Sequence, residues 1–116
     1  MKNKDIVVLK KILEYCSQVE ETCNRFNNSF EKYRDDFVFT NAANMCILQI
    51  GELCKVLSDD VTNQYDEIPW KDWKGIRDIF AHQYSNLDYE SAWDTIQKDL
   101  PNLKKSIQMI EQEYNV

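Results

Sequence analysis

The chain has 116 residues, a length that suits one domain around a single hydrophobic core and is too short for two. Hydrophobic residues make up 43% of the sequence and only two glycines and two prolines occur, so the composition favours helices over a β-sandwich or barrel. The net charge of −6 excludes nucleic-acid binding through a broad basic surface and restricts any such contact to a local patch.

The first half of the chain predicts two long amphipathic helices. Apolar residues recur at intervals of three and four over residues 5–26, and again in a wider stripe over residues 36–58. Asn27, Asn28 and Ser29 interrupt the pattern between them. We expect these two helices to pack antiparallel as the main part of the core.

The second half predicts three shorter helices. Ile68-Pro69-Trp70 marks the start of a third helix, because proline suits the first helical turn. Asn86-Leu87-Asp88 supplies a cap for a fourth helix, and Pro101 begins a fifth. The whole pattern predicts an all-α, four- to five-helix up-and-down bundle that forms one domain over residues 1–116.

The four cysteines are predicted to be core residues. Their spacing of seven within one pair and eight within the other places each pair on one helix face: Cys16 and Cys23, then Cys46 and Cys54. A structural zinc site is disfavoured because there is no CxxC pair and only one histidine. We therefore expect reduced, buried thiols and no metal or cofactor.

The N-terminus predicts a cytoplasmic protein. Met1-Lys2-Asn3-Lys4-Asp5 leads into an amphipathic pattern rather than a secretory signal, and we see no apolar run close to the length of about 20 residues that crosses a bilayer. No membrane partner is expected.

Two glycines fall inside predicted helices, where each costs about 1 kcal/mol relative to alanine. Gly51 precedes Glu52, and Gly75 lies two residues before Arg77. A close crossing of helices two and three at these glycines would bring the carboxylate of Glu52 to the guanidinium of Arg77. The alternative is two tolerated helix glycines with no shared role.

The segment Arg77-Asp78-Ile79-Phe80-Ala81-His82-Gln83-Tyr84 is the strongest candidate for chemistry. It combines a fixed cation, the only histidine and a phenol. Trp73, Ile76 and Phe80 are predicted to form the buried face of helix three, with Arg77 at its margin and partly shielded from solvent.

His82 would point about 140° away from Arg77 if the helix continued, so one helix cannot aim both side chains at one point. Either the helix ends before His82, or another subunit completes the pair. Asp78 lies four residues before His82 and could accept an imidazole N–H. Structural roles compete with this interpretation: an ion pair for Arg77, a surface position for His82 and packing for Tyr84.

The segment resembles the Arg-x4-His-x-Tyr motif of HepT-like proteins in the HEPN superfamily, and other segments agree in order. They are Ile50-Gly51-Glu52 with Leu57-Ser58, Ile68-Pro69-Trp70 with Gly75-Ile76-Arg77, and Asp88-Tyr89-Glu90 with Trp93 and Leu100-Pro101-Asn102-Leu103. The resemblance runs from about Asp5 to the end, although the first 35 residues are generic. Asp78 stands where the family often has asparagine, which leaves open whether it tunes His82.

The resemblance implies a metal-independent endoribonuclease toxin of a type VII-like toxin–antitoxin pair. It implies a homodimer with the motifs of both subunits in one cleft, where Arg77 and His82 are catalytic. Asp78 and Glu52 are the supporting residues that the spacing and the glycine crossing predict. RNA would be the substrate. A MntA-type nucleotidyltransferase antitoxin would be the partner and would inactivate the protein by AMP transfer to Tyr84.

A second interpretation keeps that partner but removes the catalysis. In it, the chain is a non-catalytic binding partner and modification target of the nucleotidyltransferase. The acidic composition favours a weak nuclease or a pure partner, whereas the presence of both Arg77 and His82 favours catalysis.

Overall fold

The computed structural model describes residues 1–80 and 88–115. These residues form eight α-helical segments and one π-helical turn, with no strand among them, which confirms the all-α prediction. The helices are α1 (Asn3–Arg25), α2 (Phe30–Asp35), α3 (Phe37–Val56), α4 (Asp59–Gln64), α5 (Trp70–Lys74), α6 (Arg77–Phe80), α7 (Tyr89–Asp94) and α8 (Leu100–Glu113).

The two long helices lie close to their predicted positions. Helix α1 ends in a Schellman motif, in which the Asn28 N–H donates to the Cys23 oxygen at 2.7 Å, and Asn27 and Asn28 have φ angles of 58° and 49°. Asparagine tolerates this left-handed region better than most residues, so the predicted interruption has a backbone cause. The Asp36 side chain then caps α3 by accepting from the Val38 N–H.

The long helices pack antiparallel. Asp5, near the start of α1, contacts Ser58 just beyond the end of α3, and Gln18 in the middle of α1 lies beside Cys46 in α3. Between them and α8 lies a continuous core that includes Ile12, Ile47, Ile50 and Ile107. The short helices α2 and α4 were not predicted, because one or two turns leave too few apolar repeats to reveal a helix.

All four cysteines are buried free thiols, as the spacing predicted. Burial raises the pKa of Cys16 to about 12 and that of Cys54 to about 12. The same cause raises the pKa of Cys23 to about 11. The four thiols therefore behave as small apolar side chains near neutral pH.

Helix α3 is slightly shorter than its predicted range of 36–58, but it is more apolar than expected. By length and composition alone it could cross a membrane, with a mean hydropathy of 1.2 over an 18-residue window. Half of that window is buried against the rest of the fold, which is typical of a core helix.

The fifth helix begins beside Pro101, as predicted, but the chain stays helical through the residues before it. Helices α7 and α8 are joined by a π-helical turn over Thr95–Asp99, in which the Leu100 N–H donates to the Thr95 oxygen five residues earlier. Pro101 follows this wider turn and lies in the first turn of α8. A proline ring clashes with the carbonyl four residues before it in a regular α-helix, and the π turn relieves that clash without ending the helix.

Candidate functional site

The site is positioned by a close helix crossing at Gly51. A Cβ atom at this glycine would lie 2.6 Å from Cγ2 of Ile76 and 2.8 Å from the backbone oxygen of Trp73. Only a residue without a side chain fits there. The predicted crossing is therefore present at Gly51, where the junction between α5 and α6 packs against the C-terminal part of α3.

Gly75 has a different role from the one predicted, since it caps the C-terminus of α5 rather than lying inside a helix. Its N–H donates to the Lys71 oxygen at 3.1 Å, and a Cβ there would have nothing closer than 3.5 Å. The predicted continuous third helix is consequently split, and Arg77 is the first residue of α6.

This break changes the surroundings of Arg77. Trp73, Ile76 and Phe80 are buried as predicted, but the Arg77 side chain is 69% exposed rather than shielded at the margin of their face. The physical reason is that the turn at Gly75 resets the helical phase, so Trp73 and Arg77 are no longer one turn apart on a common helix. The guanidinium reaches into solvent, where a ligand could contact it.

The Arg77 guanidinium nevertheless has a neighbour on α3. Its Nη1 lies 3.7 Å from Oε1 of Glu52, the carboxylate that was predicted to meet Arg77 at the glycine crossing. Lys55, one turn further along α3, places its Nζ 3.2 Å from the same oxygen. One half-exposed carboxylate thus contacts two cations.

Sequence reasoning missed Lys55 as a neighbour of the site. The spacing of Glu52 and Lys55 was a readable signal, because residues three apart on a helix are neighbours.

Of the remaining predicted site residues, the structure describes only Asp78. Asp78 is exposed on α6, where its N–H donates to the Gly75 oxygen at 3.1 Å. His82 and Tyr84 lie outside the described residues, so their predicted roles stay predictions. Within residues 1–80 and 88–115, no group of three or more His, Cys, Asp or Glu side chains could hold a metal ion.

Comparison with known proteins assigns the chain to a protein family. The model of the family described as "Ribonuclease HepT-like" matches residues 12–110, and therefore covers α3 and the Arg77 segment together. The chain belongs to the HepT-like ribonuclease family.

Curated relatives agree with the HepT-like assignment. A candidate RNase of Methanocaldococcus jannaschii is 32% identical over 95% of this chain and 90% of its own length. Another, from Caldanaerobacter subterraneus subsp. tengcongensis, is 33% identical over 90% of this chain and 92% of its own. A candidate ribonuclease HepT of Thermococcus cleftensis is 28% identical over 82% and 88% of the two chains. No solved structure matches this HepT-like chain significantly.

Proposed function

We propose that this HepT-like protein is a metal-independent endoribonuclease toxin in which Arg77 and His82 are the catalytic residues. The observation that carries the proposal is the exposed Arg77 guanidinium, held beside Glu52 at a glycine-dependent helix crossing, in a chain of a ribonuclease family. A guanidinium presents several donors in a fixed plane, which matches the oxygens of a phosphodiester.

In the proposed reaction, His82 removes the proton from a ribose 2′-hydroxyl, whose oxygen attacks the adjacent phosphorus. The bond from phosphorus to the 5′-oxygen breaks, that oxygen takes up a proton from water, and the imidazolium of His82 returns its proton to the solvent. The products are a 2′,3′-cyclic phosphate and a 5′-hydroxyl. Arg77 stabilises the negative charge that develops on the phosphoryl oxygens. An imidazole suits proton transfer near neutral pH.

Glu52 and Asp78 have supporting roles in this proposal. Glu52 restrains the Arg77 guanidinium without burying it, since the carboxylate itself is 46% exposed. A positioned arginine loses less freedom when phosphate binds. Asp78 precedes His82 by four residues and would accept an imidazole N–H, which fixes the tautomer of the ring.

Two subunits are proposed to share the cleft. Arg77 begins α6, and His82 follows five residues later, so a helix continued from α6 would aim the two side chains about 140° apart. A homodimer with both motifs facing one another removes this geometric conflict and doubles the local positive charge.

The proposal is tested by cutting of single-stranded RNA with purified protein in the presence of EDTA. His82→Ala and Arg77→Ala should each abolish cleavage and growth inhibition while leaving the circular dichroism spectrum unchanged. Arg25→Ala is the matched control, because Arg25 is a similarly exposed arginine that contacts Glu21 on α1. Full activity of His82→Ala, or loss of wild-type activity in EDTA, would contradict the assignment.

Control by a partner is the second part of the proposal. In a type VII-like pair, a MntA-type nucleotidyltransferase of the same cytoplasm would transfer AMP from ATP to the Tyr84 hydroxyl, with release of pyrophosphate. The added phosphate would repel RNA from the cleft. Tyr84→Phe should therefore cut RNA yet escape inactivation. Modification of Tyr84 in a protein that never cuts RNA would instead favour the non-catalytic partner.

A further inference from the structure

The outward face of α3 is apolar from one end of the helix to the other. Phe37, Val38, Met45 and Val56 are 74%, 54%, 58% and 45% exposed. An 18-residue stretch of this helix has a mean hydropathy of 1.2, although only half of it is buried. Single exposed apolar side chains need no explanation, whereas a continuous row of them marks an interaction surface.

A narrow stripe runs along the centre of this face. Its members alternate between spacings of four and three residues and lie within about 40° of one line along the helix: Val38, Ala42, Met45, Gln49, Glu52 and Val56. This is the spacing by which one helix packs lengthwise against another. Because all six side chains are at least partly exposed, the stripe is open to a helix of another chain.

Few charges interrupt the face. Glu52 and Lys55 are the only charged residues among the twenty of α3, whereas 29% of all residues in the chain are charged. Depletion of charged residues distinguishes the centre of a protein–protein interface from the remaining surface. The composition of α3 therefore favours a protein partner over solvent.

The stripe is complementary to a second copy of itself. Its spacing is the same in both directions, so a two-fold axis at the level of Ile47 places Val38 of one copy against Val56 of the other. The same axis places Met45 against Gln49. A dimer needs such a self-complementary surface, because each residue pair occurs twice.

The two charges of α3 decide between antiparallel and parallel pairing. In the antiparallel pair, Glu52 of one copy lies beside Ala42 of the other, whose small side chain leaves room for the carboxylate. Asn41 is also exposed there, and its amide can donate to that carboxylate. Parallel pairing would instead set Glu52 against Glu52 and Lys55 against Lys55, and such like-charge contacts are unfavourable.

We propose that two copies of this chain associate through the α3 stripe, with the two helices antiparallel. The inference rests on the proposed function in one respect, the cleft that the two subunits share. A two-fold axis between antiparallel helices is normal to the plane that contains them, so Arg77 lies on the same side of the pair in both copies. The two Glu52 positions, each beside its own Arg77, are about 15 Å apart along the helices.

Sedimentation velocity at micromolar concentration tests the interface. Wild-type protein should sediment as a dimer, and Met45→Glu should be a monomer because association would bury an unpaired carboxylate. Met109→Glu is the matched control, since Met109 on α8 is 61% exposed, close to the 58% of Met45, and it should stay a dimer. A monomeric wild type, or a Met45→Glu variant that remains dimeric, would overturn the interface.

Chemical cross-linking tests the antiparallel arrangement. Val38→Cys and Val56→Cys proteins refolded together should be joined by a bis-maleimide about 10 Å long, which matches the separation of packed helices. Neither variant alone should be joined, because equal positions of the two copies lie about 27 Å apart. Wild-type protein is the control, since its four thiols are buried. Cross-linking of either variant alone, or none in the mixture, would overturn the arrangement.

Failure of the interface and failure of the nuclease are distinguishable. A wild-type dimer that meets both expectations but cuts no RNA supports the interface and removes the nuclease. A monomeric wild type that cuts RNA overturns the interface and leaves the nuclease with a site that is not shared.

Discussion

Gly51 determines how closely α3 approaches the residues that position Arg77. An alanine there would place Cβ at 2.6 Å from a side-chain carbon of Ile76 and at 2.8 Å from the backbone oxygen of Trp73. The side chain could turn, but a backbone oxygen can move only with its helix. Overpacking of this kind costs about 1–3 kcal/mol, against a gain of about 1 kcal/mol in helix propensity.

We therefore expect Gly51→Ala to lower the free energy of unfolding and to reduce cleavage by displacing Arg77. Urea denaturation followed by circular dichroism measures the first effect. Gly75→Ala is the control, since its φ of −92° suits alanine and its nearest neighbour would be 3.5 Å away. That variant should be unchanged or more stable by about 0.4–1 kcal/mol. A Gly51→Ala protein as stable as the Gly75→Ala protein would contradict the close crossing.

The buried thiols predict a loss of stability in alkali. Burial raises the pKa of Cys16 and of Cys54 to about 12 from an ordinary value of 9.0. Below pH 9 the thiols are protonated in both states. As the pH rises above 9, the unfolded state ionises first, so each thiol lowers the free energy of unfolding by up to about 1.4 kcal/mol per pH unit.

Urea midpoints measured between pH 8 and pH 10.5 check this expectation. The wild-type midpoint should fall with pH, and Cys54→Ala should fall less steeply although it starts from lower stability. Identical slopes for the two proteins would mean that Cys54 ionises equally well in the folded state.

At the scale of elements, one buried carboxylate joins the start of α1 to the start of α4. Asp5 is 1% exposed and accepts hydrogen bonds from the Ser58 N–H at 2.9 Å and from its hydroxyl at 2.7 Å. Ser58 is the residue before α4, and its N–H has no helical partner of its own. The contact thus anchors one end of the antiparallel pair.

Asp5→Ala should lower the free energy of unfolding by about 1–3 kcal/mol, because it leaves the Ser58 N–H without its acceptor. Asp60→Ala is the control, since Asp60 is 87% exposed and its lysine contact is 4.0 Å long. Thermal and urea denaturation of the two variants compare them directly. A similar change in both variants would show that the hydrogen bonds between Asp5 and Ser58 contribute no more to stability than a surface charge does.

At the scale of the whole molecule, the proposed dimer predicts complementation between inactive variants. Arg77→Ala and His82→Ala protomers refolded together should form mixed dimers in which the intact arginine of one subunit faces the intact histidine of the other. The mixture should cut RNA although neither variant does so alone. Native mass spectrometry establishes that mixed dimers are present, and an inactive mixture that contains them would exclude a site shared in this way.

The sequence alone determined the helical class, the long helices, the buried cysteines and the neighbourhood of Glu52 and Arg77. Each of these depends on local chemistry. Apolar periodicity over five or more turns specifies a helix face, and Asn27, Asn28 and Asp36 provide the signals that end one helix and start the next. A glycine inside a strong helix pattern indicated a close approach, and Gly51 has one.

The tertiary structure alone decided the exposure of Arg77 and the continuous helical path from α7 to α8. Gly75 and Pro101 are both residue types that disfavour a helix. Gly75 ends helix α5, whereas Pro101 follows a π turn and the chain stays helical there. Which outcome holds depends on the packing of the neighbouring helices.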